Sequence, residues 1–113
     1  MELLDIRQGD STDFFYTIHV NINVAEGTAS YNAGAGSGQS LSGWKAYFQV
    51  GTYKEEFNDI TDGVDIIIGA EQTRNLQIGR HNAYLKFITP DGKIGTTKTL
   101  FVLNVTNEVV NVQ

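Results

Sequence analysis

Few side chains in this chain have the chemistry for catalysis or metal binding, and they are dispersed. The two histidines, His19 and His81, stand 62 residues apart, with no His-x-His or His-x-x-x-His pair between them. Zinc or iron would have to recruit three ligands from remote loops. His19 falls on the polar parity of an alternating segment and reads as a solvent-facing ring. His81 follows a turn and reads as a hydrogen-bonded structural residue. Cysteine is absent, which removes disulfides, thiolate nucleophiles and cysteine metal sites together. Carboxylates gather in "KEEFND" (Glu55, Glu56, Asp59) and "TDGVD" (Asp62, Asp65). Hard cations take oxygen ligands, so calcium at 55–65 stays open, but the EF-hand spacing is missing and a solvated, charged edge is the favoured reading.

The segment "YNAGAGSGQSLSGW" holds four glycines in 14 positions. A phosphate cradle needs a strand-to-helix turn, because converging amides at a helix N-terminus hold the anion. Here the glycines connect two strands, no lysine completes a P-loop, and Gln39 stands where a dinucleotide fingerprint needs its third glycine. No catalytic residue, cofactor or metal site is expected.

The elements around these residues have period two. In "FFYTIHVNINV", Phe14, Tyr16, Ile18, Val20, Ile22 and Val24 share one face, which predicts a strand over 14–24. "GWKAYFQV" points Trp44, Ala46, Phe48 and Val50 inward. "VDIII" does the same for Val64, Ile66 and Ile68, and "AYLKF" for Ala83, Leu85 and Phe87. "TLFVLNV" is apolar on both sides, with Leu100 and Val102 on the outward one. "GDSTD", "TDG", "IGR" and "TPDG" supply turn chemistry. "GAEQTRNLQIG" supports one helical turn. The expected fold is all-β: an immunoglobulin-like antiparallel β-sandwich of roughly six to eight short strands in one domain over 1–113, with a Gly-rich loop at 25–40. Trp44, Phe48, Ile66, Leu85 and Phe87 are its expected core.

A formal charge of −5 with eight scattered basic residues argues against nucleic acid. The longest apolar runs, "IIIGA" and "LFVL", are too short to span a bilayer, and "MELLDIRQGD" does not read as a secretion signal. A small soluble domain made in a cytoplasm is the expectation. Tyr31, Tyr47, Tyr53, Leu100 and Val102 form the expected contact surface.

Further residues carry a resemblance. "DIRQGDSTDFFYTIHV" matches an "I-x-x-G-D" start at Ile6, Gly9 and Asp10. "LSGWKAYFQV" matches "L-[ST]-G-[WY]" at Leu41, Ser42, Gly43 and Trp44. Thr73, Leu76 and Gly79 fit the approach to a late strand, Pro90, Asp91 and Gly92 a hairpin, and Val105, Thr106, Glu108 and Val109 a closing "V-T-x-E-V". Over nearly its whole length the chain resembles a family of small immunoglobulin-like structural proteins of tailed bacteriophages. Two departures stand out: His81 replaces a tyrosine, which removes a tyrosine-corner hydroxyl, and the 25–40 insertion is long.

The resemblance implies a non-enzymatic virion protein, made in the bacterial host and built into a capsid as a decoration or head-fibre component. The alternative is a tail or baseplate module. Its implied partners are other virion proteins, the major capsid protein or tail and baseplate proteins, met in multiple copies or as a homo-oligomer, with neither nucleic acid nor membrane. The terminal stretches "MELLDI" and "TNEVVNVQ" are candidates for pairing with neighbours. A carbohydrate-binding module using Tyr31, Tyr47, Tyr53 and Trp44 as stacking platforms is a further alternative, and a host-surface glycan stays open as a partner.

Overall fold

The computed structural model describes residues 2–25, 28–33, 41–61 and 63–109, with the backbone alone over 22–25 and 28–33. Among the described residues, nine strands and one α-helical turn follow in order: β1 Glu2–Arg7, β2 His19–Ala25, β3 Thr28–Ala33, β4 Lys45–Val50, β5 Tyr53–Asn58, β6 Val64–Asp65, α1 Ala70–Arg74, β7 Gly79–Ile88, β8 Ile94–Thr96 and β9 Phe101–Thr106. A six-stranded sheet runs β1-β9-β7-β4-β5, with β8 also on β7, and a three-stranded sheet runs β3-β2-β6. The fold is an all-β sandwich.

Alternation places the core as expected where strands are continuous. On β4, Ala46, Phe48 and Val50 are fully buried while Lys45, Tyr47 and Gln49 face solvent. On β7, Ala83, Leu85 and Phe87 point inward against Phe101, Leu103 and Val105 of β9. Leu4 and Ile6 of β1 and Val20, Val64, Ile66 and Ile68 complete one cluster. Each large aliphatic or aromatic side chain so buried contributes about 1.5–3 kcal/mol. Phe48 sits at its centre, its ring 6.1 Å from Phe101 and 6.3 Å from Tyr53.

Four features depart from the sequence reading. The predicted strand over 14–24 begins only at His19, because Thr12–Phe14 winds into a short 3₁₀ turn. Thr12 holds that turn to the segment after β6: its amide donates to the Ile68 carbonyl at 3.0 Å and its hydroxyl accepts the Ile68 amide at 2.9 Å. Phe14 and Phe15 therefore point outward rather than alternating. Second, residues 28–33, inside the expected Gly-rich loop, form β3 against β2.

Third, the sandwich is not wholly antiparallel. Met1 of the candidate pairing stretch "MELLDI" lies outside the described residues, and residues 2–6 enter β1, which pairs in parallel with β9 from Glu2↔Phe101 to Arg7↔Thr106. Its other side is covered from within the chain. The Tyr16 hydroxyl accepts from the Asp5 amide at 3.1 Å and donates to the Asp5 carbonyl at 3.0 Å, while the Asp10 amide takes the Arg7 carbonyl. One phenol thus does for Asp5 what a neighbouring strand would do.

Fourth, a bulge separates β8 from β9. β8 pairs with Lys86–Ile88 and β9 with Gly79–Ala83, so three residues, 98–100, oppose Tyr84 alone. The Thr97 hydroxyl accepts the Leu85 amide at 3.0 Å, and its own amide donates to the Leu85 carbonyl at 2.8 Å. The local distortion lets Leu100, expected outward, pack on the core cluster.

Candidate functional site

The five expected contact residues do not form one surface. Tyr47 stands on the outer face of β4, between Glu56 of β5 and Lys86 of β7. Val102 shares that face but is half-buried, opposite Leu3 and Asn82. Leu100 packs inward, and so does Tyr53, whose ring meets Phe48 edge-on. The Tyr53 hydroxyl donates to the Glu55 carboxylate, and burial together with that carboxylate pushes its pKa up to about 12. Tyr31 pairs through its backbone with Ile22, and its side chain lies outside the described residues. Among the expected core, Phe48, Ile66, Leu85 and Phe87 are buried. Trp44 is half-buried just before β4, packed on the core with its ring 6.5 Å from Phe87. Tyr47, Tyr53 and Trp44 therefore do not line up as one stacking platform.

Two other surfaces emerge. The first is a corner. Phe14 is 85% and Phe15 62% exposed, with ring centroids 6.2 Å apart, on the 3₁₀ turn pinned by Thr12. Phe15 and Tyr16 line a shallow groove with Asp5, Arg7, Asp10 and Thr106. Exposing two adjacent phenylalanines on a fixed turn costs hydration free energy that covering them would recover. Parity along "FFYTIHV" hid this corner; the signal available was "GDSTD", whose turn chemistry outranks the alternation that follows.

The second surface is an open groove of about 590 Å³ on the outer face of the large sheet, lined by Tyr47, Gln49, Lys54, Glu56, Tyr84, Lys86 and Thr96. Tyr84 was the missed residue here, although its outward parity within "AYLKF" was legible. Gln49 lies between Tyr84 and Lys54 across the strands, and Tyr47 between Lys86 and Glu56.

Some of the residues behind the phage-protein resemblance, Gly9, Asp10, Thr73, Leu76 and Glu108, meet at the far end of α1, where they hold the fold. The Gly9 amide donates to the Thr73 hydroxyl at 3.1 Å, and that hydroxyl lies 2.8 Å from the Asp10 carbonyl. Gln8 donates to the Leu76 carbonyl at 2.8 Å. Gly9 has φ +88°, a backbone conformation that favours glycine, and a Cβ there would come 2.6 Å from the Glu108 carboxylate and push it aside. Arg74 grips Glu108 with two bonds of 3.1 and 2.9 Å. That pairing holds the Glu108 carboxyl below the ordinary carboxylate range and raises Arg74. At the next turn His81 supplies the tether a tyrosine would: its Nε2 donates to the Gln77 carbonyl at 2.7 Å, four residues upstream.

The carboxylates at 55–65 are spread out. Glu55 accepts from Tyr53, Glu56 lies 4.0 Å from Lys45, and Asp59 accepts from the Thr61 hydroxyl at 2.8 Å. Asp65 lies 2.6 Å from His19 Nδ1, and Asp62 falls outside the described residues. Among the described residues no group of three or more His, Asp or Glu side chains is placed to hold a metal ion, and no helix is long and apolar enough to cross a membrane. His19, expected in solvent, is half-buried, with Nε2 3.0 Å from the Asn21 side chain.

No family model, curated protein or solved structure matches this chain.

Proposed function

We propose that this chain is a non-catalytic structural module of a tailed-phage particle, a capsid decoration or head-fibre component that docks onto other virion proteins. The observation that supports docking is the Phe14–Phe15 corner, 85% and 62% exposed on a turn that Thr12 fixes to Ile68, 56 positions away. A fixed apolar corner suits repeated, modest contacts on an assembly, where many copies add up. The two edges of the large sheet are less suited: Tyr16 covers β1, and β5 carries Lys54, Glu55 and Glu56. Of the residues behind the resemblance, Gly9, Asp10, Thr73 and Glu108 act as a structural latch, in keeping with a family alike in scaffold rather than in chemistry. A tail or baseplate position uses the same surfaces.

The test is mass spectrometry of separated heads and tails from particles of the phage encoding the chain, wild type beside Phe14→Ser/Phe15→Ser. Wild-type chain in head fractions, with the double variant folded in the lysate but missing from particles, is the expected result. Recovery in tails moves the module to the tail or baseplate. Absence of the wild-type chain from every particle fraction ends the reading.

A further inference from the structure

We propose that the outer face of β4, β5 and β7 is a binding site for a neutral oligosaccharide, with Tyr47 and Tyr84 as its stacking rings. The two tyrosines stand diagonally on neighbouring strands: Tyr47 opposes Lys86, and Gln49 opposes Tyr84. Between them runs the open groove of about 590 Å³, within the 300–1,000 Å³ typical of small-ligand sites.

What the groove offers decides its occupant. The β4 backbone is paired on both sides, with β5 and with β7, so no extended peptide can add to it as a strand. Recognition falls to side chains alone. Among the described residues, no hydrogen bond occupies Tyr47 Oη, Tyr84 Oη, Lys54 Nζ or Lys86 Nζ. Glu56 has only the distant Lys45, and Gln49 a long 3.4 Å bond to the Gly51 carbonyl. Donors (the lysines), acceptors (Glu56) and groups that do both (Gln49 and the phenols) thus alternate around two rings. A flat apolar protein surface laid here would bury these groups unpaired, at a cost for each. A polyanion would gain Lys54 and Lys86 but meet Glu56 and the chain's net charge of −5. A ligand whose every hydroxyl both donates and accepts, and whose ring CH faces are apolar, satisfies both the polar groups and the tyrosines. That ligand is an uncharged sugar chain, and the shallowness of the groove sets a Kd on the order of millimolar.

This site is independent of the Phe14–Phe15 corner, so its failure leaves the particle reading standing, and the reverse. The experiment titrates the ¹⁵N-labelled full chain with cellohexaose, maltohexaose and chitohexaose, with an alginate hexamer as the charged probe. Saturable shifts at the amides of Tyr47, Gln49, Lys54, Tyr84 and Lys86 with at least one neutral hexamer support the site. Affinity should fall about tenfold in Tyr84→Ala, and should survive 0.5 M salt. If Tyr84→Ala disturbs the fold, Gln49→Ala, exposed on the same face, replaces it. The proposal is overturned by the absence of shifts with all three neutral probes, by shifts mapping elsewhere, by affinity unchanged in the variants, or by binding of alginate alone that salt removes.

Discussion

At the scale of single residues, the chain spends its charged and hydroxylated side chains on holding turns in place. Arg74 and Glu108 join the end of α1 to the segment after β9, 34 positions apart, over a glycine held at positive φ. Because Arg74 lowers the Glu108 pKa from its ordinary 4.5, the ionised carboxylate favours the folded state. That contribution is complete above the ordinary value and disappears as the pH falls through the lowered one. Glu108→Gln should therefore lower the urea midpoint clearly at pH 7, and the gap from wild type should narrow as the pH falls below the ordinary carboxylate range. A gap unchanged between pH 7 and pH 3 would show that Glu108 acts through packing instead. Tyr53 shows the limit of reading residues by neighbourhood: beside a turn it looked exposed, yet its ring belongs to the core and its phenol to Glu55.

Among the elements, the strands with unbroken alternation were legible and the interrupted ones were not. β4 followed its pattern residue for residue because both its neighbours are strands of the same sheet, which keeps the two faces distinct. In "TTKTLFVLNV" Phe101, Leu103 and Val105 face inward as expected and only Leu100 departs, because a bulge breaks the count before it, and the bulge exists through a side chain. The Thr97 hydroxyl takes the Leu85 amide that a backbone carbonyl would otherwise accept. Thr97→Val keeps the shape and orphans that buried amide, so it should cost about 1–3 kcal/mol in equilibrium unfolding. Thr96→Val, one position earlier and exposed, should stay within about 0.5 kcal/mol. Equal effects from the two would remove the hydroxyl from the account. The 3₁₀ turn at Thr12–Phe14 follows the same logic: its partner, Ile68, lies 56 positions away, and nothing local announces the contact.

In the molecule as a whole, both sheets contribute to one buried cluster, from Leu4 on β1 through Val20 on β2 to Val105 on β9. One core predicts one cooperative transition. The fluorescence of Trp44, packed against Phe87 at the core's margin, and far-UV circular dichroism should report the same urea midpoint. Separate midpoints would mean that the β3-β2-β6 layer unfolds independently. By itself the sequence determined the class of fold and the inward residues of its regular strands, because side-chain alternation is a property of each strand's own backbone. It also marked the turns, since Gly, Asp and Pro act on their immediate dihedrals. Tertiary structure alone decided that β1 runs parallel to β9, that Tyr16 covers Asp5 at its edge and that Phe14 joins Phe15, outward by parity already, in facing solvent. It alone brought Tyr47 to Tyr84 across one groove. Those outcomes depend on which distant segments become neighbours, and register across strands is set by the packing of the whole core.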